Sequence, residues 1–301
     1  MKKFILILAL FFILNIAEAE NKSFLPKTFL ILPESSNVKI KWIIPPDTKE
    51  IRKEQSGKIR FFINFDNEPI AIYENSLIFN PIKGYFIKLK EPTKDSLCLE
   101  NGVMLFSNGN KIGYLEVERE MKNMPTGRIK AIASLPSANA KLFQGENSIY
   151  SVVFNTKTKK YEIYTFDNSK MSFKKIAIIN EPINALTGKG EYLFFSTGKS
   201  IKEYMKGKLK NLYEHPRQEI RELFYNDKVG LIYKTSNGVG LIKNNSALEF
   251  LQTENPQIYL KGTSLYVFFN SVNAVMELAN IDDLKNYSFH VEKVIDIKQT
   301  F

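Results

Sequence analysis

From Pro69 onward the chain repeats one arrangement: a short apolar run, a turn holding Gly, Asn or Asp, another run, and a proline that closes the series. The closing prolines are Pro92, Pro136, Pro182, Pro216 and Pro256, separated by 44, 46, 34 and 40 residues. Proline has no N–H to give a ladder, so it falls at strand ends rather than inside them. The sets between these prolines are built alike. Leu97–Leu99, Val103–Phe106, Ile112–Val117 and Ile129–Leu135 form one, and Ala140–Phe143, Ile149–Phe154, Tyr161–Phe166 and Phe173–Ile179 the next. Ile183–Leu186, Tyr192–Phe195, Ile201–Tyr204 and Leu209–Tyr213 follow, then Ile220–Tyr225, Val229–Tyr233, Gly238–Ile242 and Leu248–Leu251. A short first set holds Ile70–Tyr73, Ser76–Phe79 and Tyr85–Leu89; the last holds Ile258–Leu260, Leu265–Phe269, Ala274–Leu278 and Ser288–Val294.

Four short strands in a unit of about forty residues is the period of a propeller blade. Asn101-Gly102, Thr187-Gly188, Asn237-Gly238 and Lys261-Gly262 place glycine where hairpins need positive φ. Helix competes poorly. Phe, Tyr and Ile dominate the structured runs, and the best helical stretch, Glu116–Lys122, fits the hairpin between a third and fourth strand. The expected fold is therefore all-β, a single β-propeller of six four-stranded blades, with seven the next choice. A two-sheet sandwich would use fewer strands than this chain supplies.

The first residues read MKKFILILALFFILNIAEAE. Two lysines, an apolar run and Ala17-Glu18-Ala19 match a secretory signal peptide cleaved after Ala19. The apolar run is short for a bilayer span, and no later run approaches about eighteen apolar residues. The expected organisation is a signal peptide at 1–19, an N-terminal segment at 20–58, and the propeller at 59–301. Within the N-terminal segment Val38–Ile44 alternates, with Val38, Ile40 and Trp42 on one face and Lys39 and Lys41 on the other, which reads as a strand. Together with Ile59–Phe65 it is available to complete the short first set or to close the ring on the last blade.

In rhythm the region from about residue 60 to 295 resembles the β-propeller repeat proteins of the WD40 and YVTN kinds. The resemblance is one of period. The chain's one tryptophan is Trp42, so the Trp-Asp strand ending is absent, as are the Tyr-Val-Thr-Asn run, the Asp-box and the Kelch Gly-Gly pair. What such a resemblance implies is a rigid disc that meets partners across a face.

Composition narrows the chemistry. The formal charge is +10, carried mostly by lysine, with arginine only at 52, 60, 119, 128, 217 and 221. Readers of nucleic acid use arginine forks, so no nucleic-acid partner is expected. Cys98 is the sole cysteine and sits in an apolar run, which suits a buried thiol and rules out an internal disulfide. His215 and His290 are the two histidines, and neither belongs to a ligand-spaced pair. No GxSxG elbow is present, and Ser200-Ile201-Lys202 is a chance arrangement. Asp66-Asn67-Glu68 and Asp282-Asp283 read as turns. Gly188-Lys189-Gly190 and Gly207-Lys208 lack phosphate-loop spacing. Tyr150, Tyr192, Tyr225 and Tyr266 begin or end strands, where a ring packs and its hydroxyl reaches water. Lysines 199, 202, 206, 208 and 210 read as a solvated outer rim.

No catalytic, cofactor-binding or metal-binding residue is assigned, and no cofactor is expected. The expected protein is exported to the periplasm or cell envelope and is soluble after cleavage, with no membrane span in its mature chain. Its propeller face is expected to bind another envelope protein, an acidic one. The alternative is an exported enzyme acting on a polysaccharide or other envelope polymer through groups gathered at the ring's centre, or a carbohydrate-binding module.

Overall fold

The protein is described by a computed structural model over residues 29–32, 37–42, 59–63, 69–73, 77–80, 85–99, 103–118, 125–243, 246–253, 255–269, 274–279, 281 and 293–296. Residues 1–19, expected to be a signal peptide, Asn101-Gly102, His290, Asp66-Asn67-Glu68 and Asp282-Asp283 lie outside these residues.

Two strands precede the repeats, β1 (Phe29–Leu32) and β2 (Asn37–Trp42). The first set is β3 (Ile59–Ile63), β4 (Pro69–Tyr73), β5 (Leu77–Asn80) and β6 (Tyr85–Leu89); the second is β7 (Asp95–Cys98), β8 (Met104–Asn108), β9 (Lys111–Glu118) and β10 (Thr126–Ser134). The third is β11 (Lys141–Gly145), β12 (Ser148–Asn155), β13 (Lys160–Asp167) and β14 (Ser172–Ile179). The fourth is β15 (Ala185–Lys189), β16 (Tyr192–Thr197), β17 (Ser200–Met205) and β18 (Lys208–Glu214). The fifth is β19 (Glu222–Asn226), β20 (Gly230–Lys234), β21 (Gly238–Lys243) and β22 (Ser246–Gln252). The last comprises β23 (Gln257–Lys261), β24 (Ser264–Phe269) and β25 (Ala274–Ala279), with β26 (Lys293–Asp296) near the C-terminus.

These strands make a β-propeller of five hydrogen-bonded sheets, so by sheets there are five blades rather than the expected six or seven. The reason lies at the rim. β6 and β10 pair in parallel through Lys88–Thr126 and Leu89–Gly127, which joins the first two sets into one eight-stranded sheet. Lys90 N–H donates to the Gly127 carbonyl at 2.9 Å, extending the seam. The strand packs closely there: a Cβ at position 127 would stand 2.5 Å from Leu115 Cδ1, which would have to turn aside.

The last set also departs from expectation. Its outer strand is not Ser288–Val294 but β2, which pairs residue for residue with β25 from Asn37–Ala279 to Trp42–Ala274. That edge is filled, and β26 instead pairs with β1, itself added to β22. Thr187-Gly188, expected in a turn, lies inside β15; the turn uses Gly190, at φ 60°.

Each gap between neighbouring sets holds an apolar layer. Tyr150, Val152 and Ile163 of the third set pack with Leu186, Leu193 and Phe195 of the fourth. Ile149 and Leu142 face the other way, against Leu97, Leu105 and Ile112 of the second. Successive residues of a strand point to opposite faces, so a strand covered on both faces is apolar throughout. The last gap is closed by Phe61, Ile63, Ala71 and Cys98 with Tyr259, Tyr266 and Phe268. That layer joins the last set to the first two.

Candidate functional site at the ends of the inner strands

The strands at the inner ends of the sets are β3, β7, β11, β15, β19 and β23. Four of them line a recess through Gln144, Gly145, Thr187, Phe224, Tyr225 and Leu260, with about 170 Å³ of non-atom space, open solvent included. The backbone draws the inner strands together here. Glu146 N–H donates to the Gly188 carbonyl at 2.7 Å, and the Thr187 hydroxyl donates to the Gln144 carbonyl at 3.0 Å. A Cβ on Gly145 would meet Tyr150 Cε2 at 2.4 Å and the Gly188 oxygen at 2.5 Å. Glycine is what permits this approach. Phe224 and Leu260 then leave little room for a polar substrate.

Charged groups sit beside this recess, each just after an inner strand or at its end. Glu146 follows β11, Lys189 ends β15 and Asp227 follows β19. Glu146 is buried, and its Oε2 accepts from the Asp227 N–H at 3.2 Å. The Lys189 ammonium lies 3.6 Å from Glu146 and bonds the Asp227 carboxylate. The Tyr225 hydroxyl donates to the other Asp227 oxygen at 2.7 Å. Lys189, and then Tyr225, hold the Asp227 carboxyl below the usual carboxylate range. The bond to Asp227 holds the Lys189 ammonium above its ordinary value. Burial first, and Asp227 second, push the Tyr225 phenol up. Tyr192, whose ring meets Tyr225 edge-on at 6.0 Å, is pushed up to about 12 by burial and by Glu203. Near neutral pH Lys189 is an ammonium, Asp227 a carboxylate, and Tyr192 and Tyr225 are phenols, so none of these four is poised to exchange a proton at that pH.

His215 lies elsewhere, buried between the fourth and fifth sets beside Tyr213 and Tyr233. Its Nδ1 accepts the backbone N–H groups of Arg217 and Gln218, at 3.2 and 2.9 Å, so it organises the connector after β18. Cys98 is buried 3.2 Å from the Ile63 carbonyl, and burial raises its thiol to about 11. Tyr150 donates to the Gly190 carbonyl at 3.0 Å, and Tyr266 to Glu277 at 3.2 Å. Lys199, Lys206, Lys208 and Lys210 are exposed, whereas Lys202 is tied to Glu181. Among the described residues no three His, Cys, Asp or Glu side chains are grouped to hold a metal ion. Among the same residues no helix is long and apolar enough to cross a membrane.

Sequence reasoning missed Glu146 and Asp227, and met Lys189 only as part of a failed phosphate loop. The usable signal was positional: all three fall at the first hairpin of consecutive sets.

No protein-family model matches the chain, and no curated protein matches its sequence. Solved structures do. A gluconolactonase from Xanthomonas campestris aligns at 8% identity with a TM-score of 0.53, covering 85% of this chain and 96% of that one. A candidate gluconolactonase aligns at 8% identity and TM-score 0.45, covering 83% and 93%. The extracellular domain of a candidate one component system from B. thetaiotaomicron aligns at 12% identity and TM-score 0.48, covering 85% and 39%. At such identities the first likeness is one of fold: the chain is a β-propeller.

Proposed function

We propose that the protein is an exported, non-catalytic propeller that binds an envelope protein through its surface. The observation that carries this reading is the state of the inner-strand recess. It is narrowed by direct backbone contact, walled partly by Phe224 and Leu260, and rimmed by charges that bond one another, two carboxylates around one ammonium. Catalytic sites commonly hold groups whose burial or unmatched charge carries a cost that function explains. Here the lysine is spent on two carboxylates. The leader-like first residues and the charge of +10 support export and an acidic partner.

The competing reading is an exported enzyme, and the propeller of the X. campestris gluconolactonase keeps it in view. One experiment addresses both. The mature chain is incubated with glucono-lactone and divalent cations, and acid release is followed against buffer. In parallel it is immobilised and exposed to envelope extract at low and moderate salt. The expected results are no rate above buffer and a salt-sensitive protein partner. Turnover with no partner at either salt overturns the proposal. N-terminal sequencing of the native protein is expected to begin at Glu20.

A further inference from the structure

Three of the six outer strands of this ring are covered: β6 and β10 cover each other, and β1 lies on β22. Among the described residues no strand lies beyond β2, β14 or β18. An uncovered edge offers a row of backbone donors and acceptors to another chain.

β14 and β18, whose side chains are described, are not equivalent. Each ladder carries one bulge, and the β14 hairpin also exposes apolar side chains at Met171 and Ile178, but the cations of β14 are taken, Lys175 by Glu162 at 2.8 Å and Lys174 by Glu191 at 3.8 Å. On β18 the run from Lys208 to Asn211 is exposed throughout and pairs in regular register with β17, from Lys208–Met205 to Asn211–Lys202. Leu209 is 45% exposed and Met205, at the hairpin tip, 49%. Lys206, Lys208 and Lys210 make no ion pair among the described residues. Lysine alone would protect an edge. Protection does not call for an exposed leucine between two of those lysines and a methionine at the tip, which water solvates poorly.

We propose that β18 is a docking edge, and that its occupant is an extended acidic segment of a partner protein, added as a further strand. The proposal rests on the partner-binding reading given above. Added strands draw affinity from backbone bonds and selectivity from alternate side chains. Lys208 and Lys210 point to one face of the strand and Leu209 to the other. The matching segment therefore alternates carboxylate and apolar side chains. Charge decides the occupant: a cluster of unpaired lysines favours a carboxylate-bearing chain over a basic one.

The test uses residues 20–301 and a synthetic acetylated peptide amide, Glu-Val-Glu-Val-Glu-Val-Glu. Binding is titrated at low salt, and backbone hydrogen exchange is mapped with and without peptide. The expected result is slowed exchange within Lys208–Glu214. The K208E/K210E variant is expected to bind about tenfold more weakly, with unchanged far-ultraviolet dichroism. K174E, on the β14 side, is expected to bind as the unaltered protein does, and a Lys-Val peptide not to bind. Protection on β14 or at the recess overturns the proposal, as does absence of binding or a dimer through β18 that the peptide does not dissociate. If the unaltered protein and K208E/K210E capture the same envelope partner equally, the docking edge is wrong while partner binding stands. If neither captures a partner, partner binding is the reading that fails.

Discussion

Phe61 of β3 and Phe268 of β24 stack face to face, ring centroids 4.8 Å apart and planes 8° apart, across the seam between the last set and the first. Phe268 is fully buried and Phe61 nearly so. Around them Tyr259 donates to the Leu99 carbonyl at 2.5 Å, bringing the second set into the same layer. Truncating either ring leaves a cavity in the layer that shuts the ring. Phe268→Ala and Phe61→Ala are each expected to cost about 3–5 kcal/mol, read from urea midpoints at constant slope. The double variant is expected to lose less than the sum, because the rings share one contact. Strict additivity would show that the stack does not couple the two sets.

Glu162 yields a pH prediction. Lys175 at 2.8 Å, Tyr164 at 2.6 Å and Asn155 at 3.0 Å all bond its carboxylate, lowering its pKa to about 2. A carboxyl lowered on folding stabilises above its unfolded value and loses that contribution as pH falls through the folded one. Glu162→Gln is therefore expected to be less stable than the parent at pH 7. The gap should narrow below about pH 4, the unfolded carboxyl range, and close near pH 2. Thermal melts across that range check it; a gap independent of pH would refute the ionic origin.

Cys98 is expected to be inert in the folded protein. Its thiol is raised to about 11 by burial, so almost no thiolate exists at pH 8. Thiol reagents should label it only after denaturant is added. Because the shift is upward, its contribution is full below pH 9 and declines toward pH 11. Rapid labelling without denaturant would place the thiol outside the layer described.

Gly145 and Gly190 separate two roles of glycine. A Cβ at 145 meets a ring carbon and a backbone oxygen inside 2.6 Å, whereas at 190 it meets nothing within 4 Å but inherits φ 60°. Gly190→Ala is expected to cost about 1 kcal/mol in strain. Gly145→Ala must push β11 from β15 and is expected to cost about 1–3 kcal/mol. Equal melting temperatures for the two variants would contradict the close approach at the recess.

Much of the fold was legible because a strand buried on both faces has no choice of composition. The run Ile149–Val152 is buried throughout because neighbouring sets cover it from two sides, and β16 and β20 show the same unbroken burial. Pairing between distant strands was not legible. Nothing local in Thr126-Gly127 announces that it will meet Lys88-Leu89, and that meeting sets the number of sheets. The choice between β2 and residues 288–294 for the last edge was likewise a contest between two alternating segments, settled by register with β25. At the recess the decisive residues were ordinary turn residues. Glu146 and Asp227 look like any hairpin tip until three inner strands bring them around Lys189.

The pairing of β2 with β25 sets an order of events for the chain as it is made. Asn37 emerges about 240 residues before its partner Ala279, so the outer strand of the last set waits while that length of chain is made. Contacts of such sequence separation form slowly, because a long loop must close before they gain anything. Through that interval the lysines at 39 and 41 keep the waiting strand charged. A chain released before Phe268 would leave both the waiting strand and Phe61 without the partners that lock the circle, and a cell's proteases would find it open.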